Sequence, residues 1–189
     1  NDGSFIDYQA NRGPSGLYSA TAHLADGMVI TYGAANNGIL YPTQIKDRHG
    51  NYLTVAYQNN QGPRITNITD NLGRVVTFNY DGSNRLISVT GPGFNSTTRV
   101  FVQLHYTQQT LSYGFTGLTP QVRDASPYQI DAIYYPGTNT GYWFGDTNSY
   151  SSYGMIAKMS ERRGMTCNSC TTTSQGTITA GTMTREIVY

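Results

Sequence analysis

From Tyr18 to Tyr80, apolar and polar side chains alternate in short runs, each bounded by Gly, Asn, Asp or Pro. A period of two puts successive side chains on opposite faces of a strand, so the pattern predicts β-structure; helical periodicity is nearly absent. The clearest hairpin joins Tyr18–Leu24 to Met28–Gly33 through Ala25-Asp26-Gly27. Asp-Gly is a strong short-turn signal, because glycine takes positive φ without steric cost.

The middle of the chain repeats itself. Ile45-Lys46-Asp47-Arg48-His49-Gly50-Asn51 returns 23 positions later as Ile68-Thr69-Asp70-Asn71-Leu72-Gly73-Arg74. The following strands align as well, with Leu53, Val55 and Tyr57 matching Val76, Phe78 and Tyr80. Each triplet lines one face of its strand. A half-repeat links Arg64–Thr69 to Arg85–Thr90, and Tyr80-Asp81-Gly82-Ser83-Asn84 reads as a looser turn. The unit is therefore strand, Asp-x-x-Gly turn, strand, looser turn, which predicts stacked antiparallel hairpins in a curved, all-β ribbon.

After Pro92 the repeat degrades. Arg99–Tyr106, Gln129–Tyr135 and Tyr142-Trp143-Phe144 still read as strands, separated by an irregular stretch with Gly114, Gly117, Pro120 and Pro127. The expected organisation is hairpin repeats over 1–92, degenerate repeats over 93–165 and a Thr/Ser/Gly-rich extended segment over 166–189, all one continuous β unit. Ser4–Tyr8 and Thr182–Tyr189 are strand-like runs with few charges. They suggest a piece of a longer chain, or a processed subunit, whose edges recruit further strands.

Composition sharpens this picture. Only 12 % of the 189 residues are charged and the formal net charge is +1, against about 25 % charged in an average domain. There is no electrostatic case for nucleic acid, and so little charge offers weak repulsion between copies. No apolar run approaches the length of a membrane span.

The run Tyr57…Arg64-Ile65-Thr66-Asn67-Ile68-Thr69-Asp70-Asn71-Leu72-Gly73-Arg74…Phe78-Asn79-Tyr80-Asp81…Leu86-Ile87-Ser88-Val89 resembles RHS, or YD, repeats. The match is good over about residues 17–90 and degenerate to about 165, with Tyr134-Tyr135-Pro136-Gly137 and Ser152-Tyr153-Gly154-Met155-Ile156 as weaker copies. The resemblance implies a β-hairpin ribbon that coils into a large hollow shell in a secreted or cell-surface bacterial protein. In some members the shell encloses a C-terminal toxin. This chain is too short to close a shell, and it lacks the Asp-Pro-x-Gly segment of the family's self-cleaving core.

Candidate chemistry is sparse. Cys167-Asn168-Ser169-Cys170 is read as a local disulfide. Its Thr-rich setting offers nothing to lower a thiol pKa, and His23, His49 and His105 are too scattered to complete a zinc site. Asp47 and Asp70 could pose as the paired acids of a glycosidase, but they recur with the repeat, as Asx-turn residues do and catalytic acids do not. The turn positions are thus Asp26, Gly27, Asp47, Gly50, Asp70 and Gly73. Asp146-Thr147-Asn148-Ser149-Tyr150 opens like a calcium loop but lacks its Gly and its closing acid. Tyr134, Tyr135, Tyr142, Trp143 and Phe144 form an aromatic group that could stack on sugars if exposed, or fill a core if buried. Asn67 and Asn95 head glycosylation triplets.

Three functions compete: a structural, non-catalytic module that builds a shell wall or extracellular filament, an adhesive or carbohydrate-binding module, and a polysaccharide-degrading enzyme. The repeat and the low charge favour the first. No cofactor or metal is expected. The expected partners are the rest of a larger chain or further copies of this one, with glycans as a second possibility.

Overall fold

The alternating runs become fifteen strands, with no α-helix among the described residues. The computed structural model describes residues 6–14, 16–60, 62–112, 117 and 126–189. Ser4 and Phe5 of the opening run, and Gly114 and Pro120 of the long loop, lie outside them. The strands are β1 Asp7–Gly13, β2 Gly16–His23, β3 Val29–Asn36, β4 Ile39–Lys46, β5 Tyr52–Tyr57, β6 Ile65–Asp70, β7 Val75–Tyr80, β8 Leu86–Pro92, β9 Thr98–Gln108, β10 Tyr128–Tyr135, β11 Thr140–Trp143, β12 Lys158–Arg163, β13 Thr166–Asn168, β14 Thr177–Thr179 and β15 Thr182–Val188. Thirteen of them, β1 to β12 in chain order and then β15, form one antiparallel sheet, while β13 and β14 pair separately. The fold is all-β, as the alternation implies.

The chain divides into two compact units, Asn1–Phe78 with Gly91–Thr98, and Asn79–Thr90 with Arg99–Tyr189. Residues after 165 pack back onto strands of the second unit.

In the first unit the register explains the alternation. Tyr8, Ala22, Ile30, Ile45 and Leu53 stand opposite one another across β1–β5. The intervening row is Gln9, Thr21, Thr31, Gln44, Thr54 and Thr69, ending at Val75 on β7 as its one apolar member. One face is therefore apolar and the other is a ladder of hydroxyls and amides. A one-residue slip would exchange them, so the pattern itself fixes the register. Val55, Ile68 and Val76 form the next apolar row, and alternation within β7 puts Phe78 on the same face. Buried Ala34, Val55 and Tyr57 pack with Tyr41, Ile65 and Ile68. The Tyr57 hydroxyl donates to the Pro42 carbonyl at 2.8 Å.

In the second unit one sheet face is covered by the chain's own later residues. Ala132 stands opposite Trp143, and Tyr134 opposite Gly141. Against them pack Met165, Ile178, Cys167 and Cys170 from the β13–β14 hairpin and its flanks. Gly141 is required by close approach, because a Cβ there would overlap the Ile133 carbonyl oxygen and press on the Met165 sulfur. The stretch Thr171–Thr184, read from composition as extended chain, includes β14 and the start of β15, which pairs with β12.

Candidate functional site

The repeat's chemistry is concentrated in its turns. In the segments 24–28, 47–51, 70–74, 81–85 and 151–155 the first residue's N–H donates to the fifth residue's carbonyl, and the fourth residue's N–H donates back to the first. The fourth position has positive φ each time: Gly27, Gly50, Gly73, Asn84 and Gly154. The segment from Asp81 to Asn84, expected to be a looser turn, is thus the same turn. Asn84 replaces glycine because asparagine tolerates the left-handed region.

At Asp47, Asp70 and Asp81 the side chain completes the turn. Asp70 Oδ1 accepts the N–H groups of Leu72 and Arg74 at 3.0 and 2.9 Å, and Oδ2 takes the Arg74 Nε at 2.6 Å. Asp81 is bound in the same way by Ser83 and Arg85, and Asp47 by His49 and Asn51. The Arg74 amide, with the Arg74 side chain, outweighs the cost of desolvation and lowers the Asp70 pKa. The Asn51 side chain does the same for Asp47. At Asp81 burial opposes ionisation, yet the Arg85 amide and side chain still leave its pKa lowered. Asp26 serves its hairpin from another position, taking the Met28 N–H at 2.9 Å. Asp47, Asp70 and Asp81 are thus each engaged through both carboxylate oxygens by their own turns.

The turns 47–51 and 70–74 also touch. The Asn71 N–H donates to the Tyr52 carbonyl at 3.1 Å, and the Asn71 side chain to Asn51 at 3.3 Å. An open groove of about 450 Å³ runs past Ile45, Tyr52, Leu53 and Leu72.

The aromatic group is split by the sheet. Tyr134 is buried on the inner face, its hydroxyl on Asn139 at 2.9 Å, and Trp143 packs on the same cluster. Phe144 is buried against Tyr150. Tyr135 and Tyr142 lie on the opposite face, edge to face at 6.4 Å. They line a polar groove of about 260 Å³ with Glu161, Arg163 and Thr184. Adjacent positions in a strand point to opposite sides, so the sequence cluster was never one surface.

Asp146 is held by Arg162 through both carboxylate oxygens at 2.7 Å and by the Ser160 hydroxyl at 3.0 Å. An arginine thus sits where the calcium-loop reading would put a cation. Cys167 and Cys170 form a disulfide with Cα atoms 5.8 Å apart. No group of three or more His, Cys, Asp or Glu suited to a metal occurs among the described residues. Asn67 is half-buried in β6 and accepts from the Thr77 hydroxyl at 3.0 Å, whereas Asn95 is exposed in a short 3-10 turn.

Sequence reasoning missed one cluster. His105 Nδ1 lies 2.5 Å from Asp131 Oδ1, and Asp131 Oδ2 takes the Thr107 hydroxyl at 2.5 Å. His105 is one of three histidines scattered along the sequence, and Asp131 sits in a strand that reads as ordinary. The cluster depends on a bulge between Ile130 and Ala132, which leaves Asp131 as the extra residue. No periodicity reveals it.

No curated protein matches the chain. The RHS Repeat family model matches residues 59–93, a span that holds β6, β7, β8 and the two turns headed by Asp70 and Asp81. RHS repeats occur in cell-surface and secreted proteins, and no helix among the described residues is long and apolar enough to cross a membrane. With its hairpins, its Asp turns and this match, the chain carries an RHS repeat at residues 59–93, set in an all-β repeat fold.

Proposed function

We propose that this chain is a structural, non-catalytic module of a secreted or cell-surface bacterial protein. In this reading it builds a β wall or a filament by pairing its edge strands with neighbouring chain. The observation that supports the reading is the pair of edges. Among the described residues, β1 and β15 each have a strand neighbour on one side only. Unpaired backbone donors and acceptors recruit strands unless charges or prolines guard them. The charges of β15 are turned to its own neighbour: Glu186 pairs with Lys158 at 3.2 Å and Arg185 with Glu161 at 3.8 Å. The carboxylates that could suggest hydrolysis are bound within turns.

Sedimentation of the chain at micromolar concentration tests this. Assembly that Val188→Pro or Met183→Lys abolishes is the expected result. A well-folded chain that stays monomeric would overturn it. A second reading, a glycan-binding module, draws support from the pair of exposed Tyr135 and half-buried Tyr142 beside Glu161 and Arg163. Saturable binding on a glycan array, lost in Tyr142→Ala, would favour it.

A further inference from the structure

The stretch from β13 to β14 lies as a strap across one face of the second unit. Its loop is tied by neutral contacts to the strands beneath. Ser88 donates to the Thr172 carbonyl at 3.0 Å. The Gln103 amide donates to the Thr171 and Ser174 carbonyls at 3.1 and 3.2 Å. The Gln175 side chain and the Tyr106 backbone exchange two bonds, each at 3.1 Å. One further tie differs in kind, for His105 Nε2 lies 3.2 Å from the Gly176 carbonyl oxygen.

The histidine is flanked by acceptors at both ends. Its Nδ1 meets the Asp131 carboxylate and its Nε2 meets a carbonyl. A neutral imidazole has one N–H, so it can serve only one of them; the imidazolium serves both. Both side chains are largely withdrawn from water, at 18 % and 10 % exposure. A lone pair turned toward an acceptor there is costly.

We propose that residues 166–179 form a pH-gated strap, latched to the sheet by a doubly protonated His105 that bridges Asp131 and the Gly176 carbonyl. On loss of one proton the remaining N–H stays with Asp131, where the bond is shorter and charge-assisted. Gly176 then loses its donor and the strap loses its ionic tie. The groups bonded to the ring are the Asp131 carboxylate from β10 and the Gly176 carbonyl of the strap. Tyr150, whose pKa is raised by burial and then by the Asp131 charge, also lies within reach of that carboxylate, and the strap's cysteines are joined in a disulfide and do not titrate. The Asp131 hydrogen bond, against the opposing pull of burial, raises the His105 pKa above its ordinary 6.5. A raised folded-state value stabilises below the unfolded value and ceases to do so as pH rises through it. The strap is therefore tight below the ordinary histidine value of 6.5 and loosens as pH rises through the raised one.

Ring nitrogen shifts of the ¹⁵N-labelled chain and amide exchange of residues 170–176, normalised for base catalysis, test this. Both ring nitrogens should be protonated near about pH 6, and strap protection should fall at least about tenfold by about pH 9, beyond the usual histidine range. His105→Gln keeps a donor but not the charge, so its protection should be weaker and independent of pH. Asp131→Asn keeps both hydrogen-bond partners and should move the loosening to lower pH. A neutral ring near about pH 6, flat protection in the unaltered chain, or a midpoint unmoved by Asp131→Asn would each overturn the proposal.

Discussion

Met165→Ala measures how firmly the strap's apolar side is built into the second unit. The side chain is 0 % exposed and packs with Ala132, Tyr134 and Ile178. Truncation removes the three outer heavy atoms and leaves a cavity. Costs for buried Met→Ala span about 2–5 kcal/mol, the upper part applying where the site cannot collapse. Here one wall is backbone, at Gly141, whose missing Cβ already lets the strands approach. The walls have little side chain to move inward, so a loss of about 3 kcal/mol is expected. Trp143 is the only tryptophan and packs on this cluster. Its fluorescence in a urea titration reads the second unit directly, without assuming that the whole chain unfolds as one. The midpoint should fall with the slope unchanged. A loss below about 1 kcal/mol would mean that the strap rests on the sheet without being part of its core, and would refute the packing argument.

Two further outcomes follow from the shared turn. Gly73 has φ +78° with open space around its Cα, and Asn84 holds the same place at φ +65°. Gly73→Asn should therefore cost under about 1 kcal/mol, while Gly73→Val should cost about 1–3 kcal/mol in chemical denaturation; equal costs would contradict the turn's equivalence. Asp47, Asp70 and Asp81 all have lowered pKa values, so their stabilisation is present above the ordinary value of 3.8 and is lost as pH falls through the lowered ones. Acid unfolding should be less steep in Asp81→Asn, and side-chain carbon shifts should put all three titrations below the ordinary value.

Much of the fold was legible because strand alternation and turn chemistry are local. Asp26-Gly27, the 23-residue offset and the triplet Val76, Phe78, Tyr80 can each be read within a few positions. The turn headed by Asp81 looks different in sequence because asparagine stands where the other turns have glycine, and only the shared positive φ makes them equivalent. The site residues were harder. Tyr134 and Tyr135 are neighbours in sequence and opposites in space. His105 and Asp131 meet across a bulge, and the strap reaches its strands from about seventy residues away: the Gln103–Ser174 bond spans 71. Pairings at that separation leave no trace in a local pattern.

The regular spacing of the turns at 24, 47 and 70 bears on how such a chain can change length. Insertion or deletion of one residue inside a strand would exchange the threonine ladder for the apolar row from that point onward. Gain or loss of a whole 23-residue block does not, because it removes or adds two strands and two turns and rejoins like to like. A gene built this way can lengthen by duplication or shorten by recombination between its own copies, and each product keeps every surviving side chain on the face it already occupies.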